Sequence, residues 1–294
     1  MRPFDKCLYN KIIFYICLFL LIAFNLSFTW PMENFRITST FGESRGDHFH
    51  SGVDLISGST KIYPAEEGEL VFFWDNALFP TENYPGGGNY KILRHKSGYY
   101  SVYMHLNDNP SVKNIYLKND SVGEMGATGH SSGKHLHLSI FHSDTGKFVN
   151  PVSVFPKVAD NIEPVIEEAY VRIENKYFRI GNNDSIRLTK HYPLLINIWD
   201  LMHKGDRLGV YKLLITLNGE KIVNNNYSDI LMKDNALRVS GKAFDELFDE
   251  KGYYKADKIK YVDGVNDLSV TASDYSGNES TKKLTFTVKL DMQQ

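Results

Sequence analysis

Apolar and polar positions divide the chain into three textures. Residues 12–28 are almost wholly apolar, broken only by Asn25 and Ser27. No later run is long and apolar enough to span a bilayer. Residues 31–155 instead carry short β-rich runs at 69–73, 90–93 and 99–104, separated by Gly-rich turns such as 85–89. No long 3.6-residue period appears, and no repeat of 20–50 residues is visible, so short strands are expected here. Leu136, Leu138 and Ile140 alternate with His135, His137 and Ser139, the pattern of a strand with one apolar face.

Asn150-Pro151 and Pro156-Lys157 interrupt this texture, and residues 159–164 are polar and end in Pro, which predicts a boundary near 158. Beyond it, residues 213–217, Asn218-Gly219 and residues 220–223 read as a hairpin, because Asn-Gly suits a type I′ turn. Leu268, Val270 and Ala272 alternate with polar residues, residues 274–278 turn the chain, and Leu284, Phe286 and Val288 alternate on the way out. A short helix is expected within 242–250. The whole chain is predicted to be all-β: an antiparallel β-sheet domain over 30–157, then a β-sandwich of Ig-like type over 158–294.

Composition supports folded domains. The length of 294 residues fits two of them. With 42% hydrophobic and 23% charged residues, the chain can bury a core and is not a disordered one. A net charge of −2 argues against a nucleic-acid partner. The two cysteines, Cys7 and Cys17, both lie near the start, so the rest has no disulfide framework and no thiolate metal site. Any metal must be held by His and carboxylate. Arg2, Lys6 and Lys11, against Asp5, precede the apolar run, as in a secretory signal. At roughly 17 residues that run is at the short end for spanning a bilayer. Residues 1–29 are therefore expected to be a signal peptide, cut after Ser27-Phe28-Thr29, or an uncut N-terminal anchor. Export to the periplasm or cell envelope follows, with membrane contact only if the segment stays uncleaved.

Histidine carries the chemical signal. His135 and His137, two apart on a strand, would project together into a cleft while Leu136, Leu138 and Ile140 face a core. His50 stands four residues before Asp54 with Gly52 between them, and His105 lies in Tyr-Met-His-Leu. Two imidazoles and one carboxylate suit zinc and leave a position for water, which separates a catalytic site from a closed structural one. H-x-x-x-D alone is a weak signal and H-x-H a modest one; together in a cysteine-free exported chain they are strong.

At these residues the chain resembles the lysostaphin-type (LytM-like) zinc metallopeptidases, which hydrolyse peptide bonds in bacterial peptidoglycan. The likeness covers residues ~35–155 by fold and motif. Ser39-Thr40-Phe41-Gly42 precedes His50-Ser51-Gly52-Val53-Asp54, the family's H-x-G-x-D. Residues 64–70, Gly88-Asn89-Tyr90 through His95, and Tyr103-Met104-His105-Leu106 follow in order. Gly123, Gly126 and Gly129 then lead to His135-Leu136-His137. Lys134 stands where the family usually has Pro. The resemblance implies a metallopeptidase domain whose Gly-rich loops form a groove, with His50, Asp54 and His137 as zinc ligands. It makes His105 and His135 the catalytic pair, one acting on protons and the other on the oxyanion, their division open. The implied activity is a zinc endopeptidase cutting stem or cross-bridge peptides for cell-wall remodelling. A non-catalytic wall-binding or hydrolase-activating member of the same fold is the alternative.

Other residues receive plainer expectations. His48 and His130 belong to the rim or groove, His95 to a buried hydrogen-bonded position, and His142, His191 and His203 to none of this. Tyr103 should share a strand face with His105, either lining the groove or covering the core edge. Asp- and Asn-rich loops after 158 could bind Ca²⁺, though turn chemistry explains them. The second domain reads as a placement module, and residues 31–157 are expected to fold and bind metal alone, few contacts crossing near 158. Oligomeric state is not encoded in any feature seen.

Overall fold

A computed structural model describes residues 28–79, 86–107, 111–203 and 205–291. The segment 1–27, which carries the expected signal or anchor, lies outside the described residues. Among those described, no helix is long and apolar enough to cross a membrane.

The chain is all-β, as its alternation predicts. Ten strands precede residue 150: β1 Arg36–Ser39, β2 Val53–Ile56, β3 Lys61–Ile62, β4 Gly68–Trp74, β5 Asn89–His95, β6 Tyr99–Leu106, β7 Ile115–Tyr116, β8 Gly123–Glu124, β9 Leu136–His142 and β10 Lys147–Val149. Eleven follow: β11 Val165–Ile173, β12 Lys176–Ile180, β13 Ser185–Leu188, β14 Leu194–Trp199, β15 Lys212–Leu217, β16 Glu220–Asn226, β17 Asp229–Lys233, β18 Ala236–Arg238, β19 Tyr254–Ala256, β20 Gly264–Ser273 and β21 Glu279–Leu290. Among the described residues, α-helix is confined to single turns at Pro151–Val154 and Phe244–Leu247. The second falls where a short helix was expected.

The first half is built on an antiparallel sheet whose centre is β9. Its first residues pair with β2 and its last with β10, while β6 lies along its other edge, followed by β5 and β4. Leu136, Leu138 and Ile140 are fully buried, the core face that the alternation requires. The second half holds a four-stranded sheet, β12-β11-β14-β19, and a five-stranded sheet, β13-β21-β20-β15-β16. Leu268, Val270, Ala272, Leu284, Phe286 and Val288 are all buried there. The β15–β16 hairpin turns at Asn218 (φ 52°) and Gly219 (φ 81°). Both residues are left-handed, as a type I′ turn demands.

The junction is denser than the sequence implies. β17 and β18, from the second half, extend the first sheet: β17 pairs with β10, setting Phe148 against Ile230. Phe49 packs on Phe244 and Phe248 at ring separations of 5.3 and 6.2 Å. Tyr227 is buried against Gly42. Asn150 accepts the Val152 N–H and donates to the Tyr227 carbonyl, so the Asn-Pro break is a docking point as well as a helix cap. The expectation that few contacts cross near 158 fails because strand pairing over long sequence separation leaves no local signal. Packing also begins before Trp30: Phe28 is buried and stacks on Phe155 at 5.1 Å, and Thr29 N–H donates to the Ala65 carbonyl. A cut before Trp30 would remove both.

A fragment ending at 157 would expose Phe49 and leave β10 as an unpaired sheet edge. We expect residues 28–157 alone to unfold at lower temperature than the whole chain and to aggregate on concentration. Thermal unfolding and light scattering check this; an unchanged transition and a monomeric fragment would contradict it.

Candidate metal centre

The pairing of β2 with β9 brings the candidate ligands together. Asp54 stands directly opposite His137, between the apolar pairs Val53–Leu138 and Leu55–Leu136. Gly52 makes the approach possible. A Cβ there would lie 2.7 Å from His137 Nε2 and 2.8 Å from Ser139 Oγ, and closer still to the Leu138 carbonyl oxygen. This is the physical content of the glycine in H-x-G-x-D.

His50 Nε2, Asp54 Oδ1 and His137 Nδ1 form a nearly equilateral triangle, with edges of 3.0, 2.9 and 3.1 Å. All three residues are buried. His50 Nδ1 lies 2.7 Å from the Thr40 carbonyl oxygen, which can only accept, so the His50 proton sits on Nδ1 and Nε2 is a bare lone pair. His137 Nε2 lies 2.8 Å from Ser139 Oγ, a hydroxyl able to take its proton and leave Nδ1 bare. Two lone pairs and a carboxylate oxygen facing each other repel unless a cation lies among them. Atoms about 3 Å apart can all be ~2.0–2.2 Å from one point, so the donor set and its spacing fit a zinc-like ion.

His105 and His135 stand beside this triangle, their rings 4.7 Å apart. His105 Nδ1 donates to the Thr128 carbonyl at 2.8 Å and His135 Nδ1 to the Gly133 carbonyl at 2.9 Å. Both Nε2 atoms are therefore free to accept, and His135 Nε2 is 3.6 Å from Asp54 Oδ1. His105 has φ 62°, a left-handed conformation that is strained for a residue with a Cβ. That kink breaks the alternation of β6. Met104, paired with His137, lines the cleft, and His105 turns into it as well. Tyr103 does not share that face. It is fully buried, its hydroxyl accepting from the Ala65 N–H and from Ser101.

Arg45 was not singled out from the sequence. Its guanidinium pairs with Asp54 Oδ2, turning Oδ1 toward the two imidazoles, and donates to Ser39 Oγ at 2.6 Å. Ser39 in turn bonds Glu43, whose Oε2 accepts from Thr40 N, Thr40 Oγ1 and Gly209 N, each at 3.0 Å. A polar chain thus runs from the candidate ligand Asp54 to the second half of the protein. The cleft above the site holds about 620 Å³ and is also lined by His48, Gly86, Gly87, His130 and Lys134. Residues 80–85, just before the Gly86 and Gly87 that line it, lie outside the described residues. His95 is buried and bonded to Ser101 and the Glu67 carbonyl, away from the cleft.

Electrostatics follow burial. Burial pushes His105 and His137 toward the neutral form, His137 down to about 4. Burial opposes ionisation of Asp54 too, but the His137 and His50 imidazoles outweigh it and hold the carboxyl well below the usual carboxylate range. Asp54 is therefore anionic and His137 neutral at neutral pH, the protonation states that ligate metals.

Residues 48–151 match the model of Peptidase family M23. A second family model matches residues 163–289. The murein hydrolase activator NlpD of Escherichia coli (strain K12) is 32% identical over 130 residues, 44% of this chain and 31% of that protein. The DD-carboxypeptidase/endopeptidase Mpg of Neisseria meningitidis serogroup B is 30% identical over 130 residues, 42% of this chain and 28% of that protein. The catalytic domain of lysostaphin from Staphylococcus simulans is a structural neighbour at 28% identity, covering 37% of this chain and 80% of that one, with a TM-score of 0.31. The chain carries a peptidase family M23 domain of the LytM type. It spans less than a third of the length of these curated relatives.

The depressed His137 pKa sets a pH dependence. Between its ordinary 6.5 and about 4, the unfolded chain binds a proton that the folded, metal-free chain refuses. Stability should therefore fall as pH drops through that window; the His137 contribution is complete below it, where the lowered Asp54 carboxyl continues the decline. His105 and His95, also lowered by burial, act in the same direction. We expect the melting temperature of metal-stripped protein to decline from pH 6.5 to 4, with a shallower slope in His137→Gln. Equal slopes would contradict the assignment.

Proposed function

We propose that the first domain, 30–157 with Phe28 and Thr29 packed into it, is a zinc-dependent endopeptidase. Its substrates are the stem or cross-bridge peptides of peptidoglycan, and its role is cell-wall remodelling. His50, Asp54 and His137 are the metal ligands, and His105 and His135 the catalytic residues. The observation that carries this reading is the pair of free Nε2 atoms on His105 and His135 beside a triangle of deprotonated donors. When bound there, zinc would supply Lewis acidity for the scissile carbonyl and lower the pKa of water toward about 7.

The chain's own residues account for the protons. Burial keeps His105 neutral and its Nδ1 proton is tied to Thr128, so Nε2 can accept a proton from the attacking water. His135, its ring 4.7 Å from that of His105, would serve the developing oxyanion once protonated at Nε2. The peptide C–N bond breaks, water supplies the new carboxylate oxygen, and the imidazolium returns its proton to the leaving amine. The open, polar cleft suits an extended peptide lying across the site.

A second reading is a non-catalytic hydrolase activator, which the name of the Escherichia coli relative favours. The full set of ligands and acid–base groups supports catalysis over that role. The N-terminal segment and the relatives support export to the periplasm or envelope, with no nucleic-acid partner. The second domain, 158–294, we read as an Ig-like sandwich that places the catalytic domain on the wall or a partner.

Two variants test the assignment. We expect His137→Ala to lose both bound zinc and hydrolysis on cell-wall zymograms. We expect His105→Ala to keep most of the zinc while turnover falls by about 10²–10⁴. Equal zinc loss in both would make His105 a ligand; undiminished clearing by either would overturn the mechanism.

A further inference from the structure

A second group of metal-capable side chains lies far from the peptidase cleft in sequence. One carboxylate oxygen from each of Asp160, Asp200 and Asp274 lies within 4.8 Å of the others. The three come from different parts of the fold: Asp160 from the connection between the halves, Asp200 from the end of β14, and Asp274 from the end of β20. Asp200 is fully buried and Asp274 is 2% exposed.

Turn chemistry explains Asp274 and Asp160 only in part. Asp274 Oδ1 accepts the Gly277 and Asn278 N–H groups at 2.7 and 2.8 Å, and Oδ2 accepts the Asn278 amide at 2.6 Å. Asp160 Oδ1 accepts the Ile162 N–H at 3.0 Å. Asp200 has no such role. Neither of its carboxylate oxygens has a hydrogen-bond partner, although both are sealed from solvent. Among the described residues no Lys, Arg or His forms an ion pair with any of the three. A buried carboxylate without partner is costly to retain. Burial, then the charges of Asp274 and Asp160, push the Asp200 carboxyl up to about 7.

We propose that Asp160, Asp200 and Asp274 bind a hard divalent cation, Ca²⁺, that fastens the connection and both sheets of the second half together. All-oxygen, carboxylate-rich donors select Ca²⁺ over zinc, and oxygens on one Ca²⁺ at 2.3–2.6 Å lie roughly 3–5 Å apart. The Asp160 carbonyl, which accepts from Asn278 at 3.2 Å, places a further oxygen in the same neighbourhood.

The position gives the cation a second consequence. Asp200 is bridged to Leu208 through both backbone groups, and the next residue, Gly209, docks on Thr40 and Glu43. Tyr275, beside Asp274, donates to the Phe41 carbonyl at 2.8 Å. The two segments tied by the cation therefore hold residues 40–43, whose Thr40 carbonyl orients His50. The site would stiffen the mount of the peptidase centre without sharing any of its ligands.

The test uses the full mature chain with its zinc in place, titrated with CaCl₂ in a calorimeter and melted with and without Ca²⁺. We expect one Ca²⁺ per chain and a rise in Tm of roughly 5 °C at a hundredfold excess over the dissociation constant. Mg²⁺ at the same concentration should give a smaller rise, because it demands a tighter octahedral shell. Asp200→Asn should abolish the shift with zinc content unchanged. Asp160→Asn, at a half-buried connection that tolerates change, should weaken Ca²⁺ binding at least tenfold. No Ca²⁺ heat and no shift in the parent chain would overturn the proposal. So would a shift that persists in Asp200→Asn or survives intact in Asp160→Asn.

Discussion

The register between β2 and β9 is the constraint on which the rest depends. Asp54 faces His137 only in the register that also sets Val53 against Leu138 and Leu55 against Leu136. Side chains alternate along a strand, so a slip of one residue would turn His137 into the core and Leu136 or Leu138 into the cleft. The hydrophobic effect that buries those leucines and valine thus positions His137 and Asp54, the candidate ligands. Their geometry is a consequence of core packing, and the missing side chain of Gly52 lets the strands meet.

Around this register the protein fixes protons with backbone carbonyls. Thr40, Thr128 and Gly133 each hold the Nδ1 proton of one histidine, leaving Nε2 of His50, His105 and His135 pointed at the centre. The left-handed backbone at His105 is the local strain accepted to bring that ring into place. Arg45, Ser39 and Glu43 carry the arrangement outward to Gly209. The second half is therefore more than an appendage. It supplies two strands to the sheet that carries His137 and braces the segment that orients His50.

Much of this was readable in the chain. The alternation of Leu136, Leu138 and Ile140 with His135, His137 and Ser139 revealed both the strand and its polar face, because a period of two is local. His50, Asp54, His105, His135 and His137 stood out as residue types with metal and acid–base chemistry in a chain whose later part lacks cysteine. The Asn218-Gly219 turn was legible for the same local reason. Arg45 was not, since an arginine in a polar loop has no distinguishing spacing. Sequence allows Tyr103 both the groove and the core edge, because the left-handed turn at His105 that decides which face each residue takes has no sequence signal. The pairing of β10 with β17 has no local sequence signal because it joins residues some eighty positions apart. Turn chemistry accounts for the Asp- and Asn-rich loops in sequence, and only their folded positions show that Asp200 is buried with neither carboxylate oxygen bonded.

The central claim is that this chain itself breaks peptide bonds, and mass spectrometry of muropeptides released by the purified mature protein tests it most directly. The account expects products that differ from intact cross-linked peptides by one added water per cut. Their glycan strands should be unbroken, and they should disappear on zinc chelation and return when zinc is restored. Unchanged muropeptides from the zinc-loaded protein, together with faster cutting by an added wall hydrolase, would contradict it and establish the activator role instead.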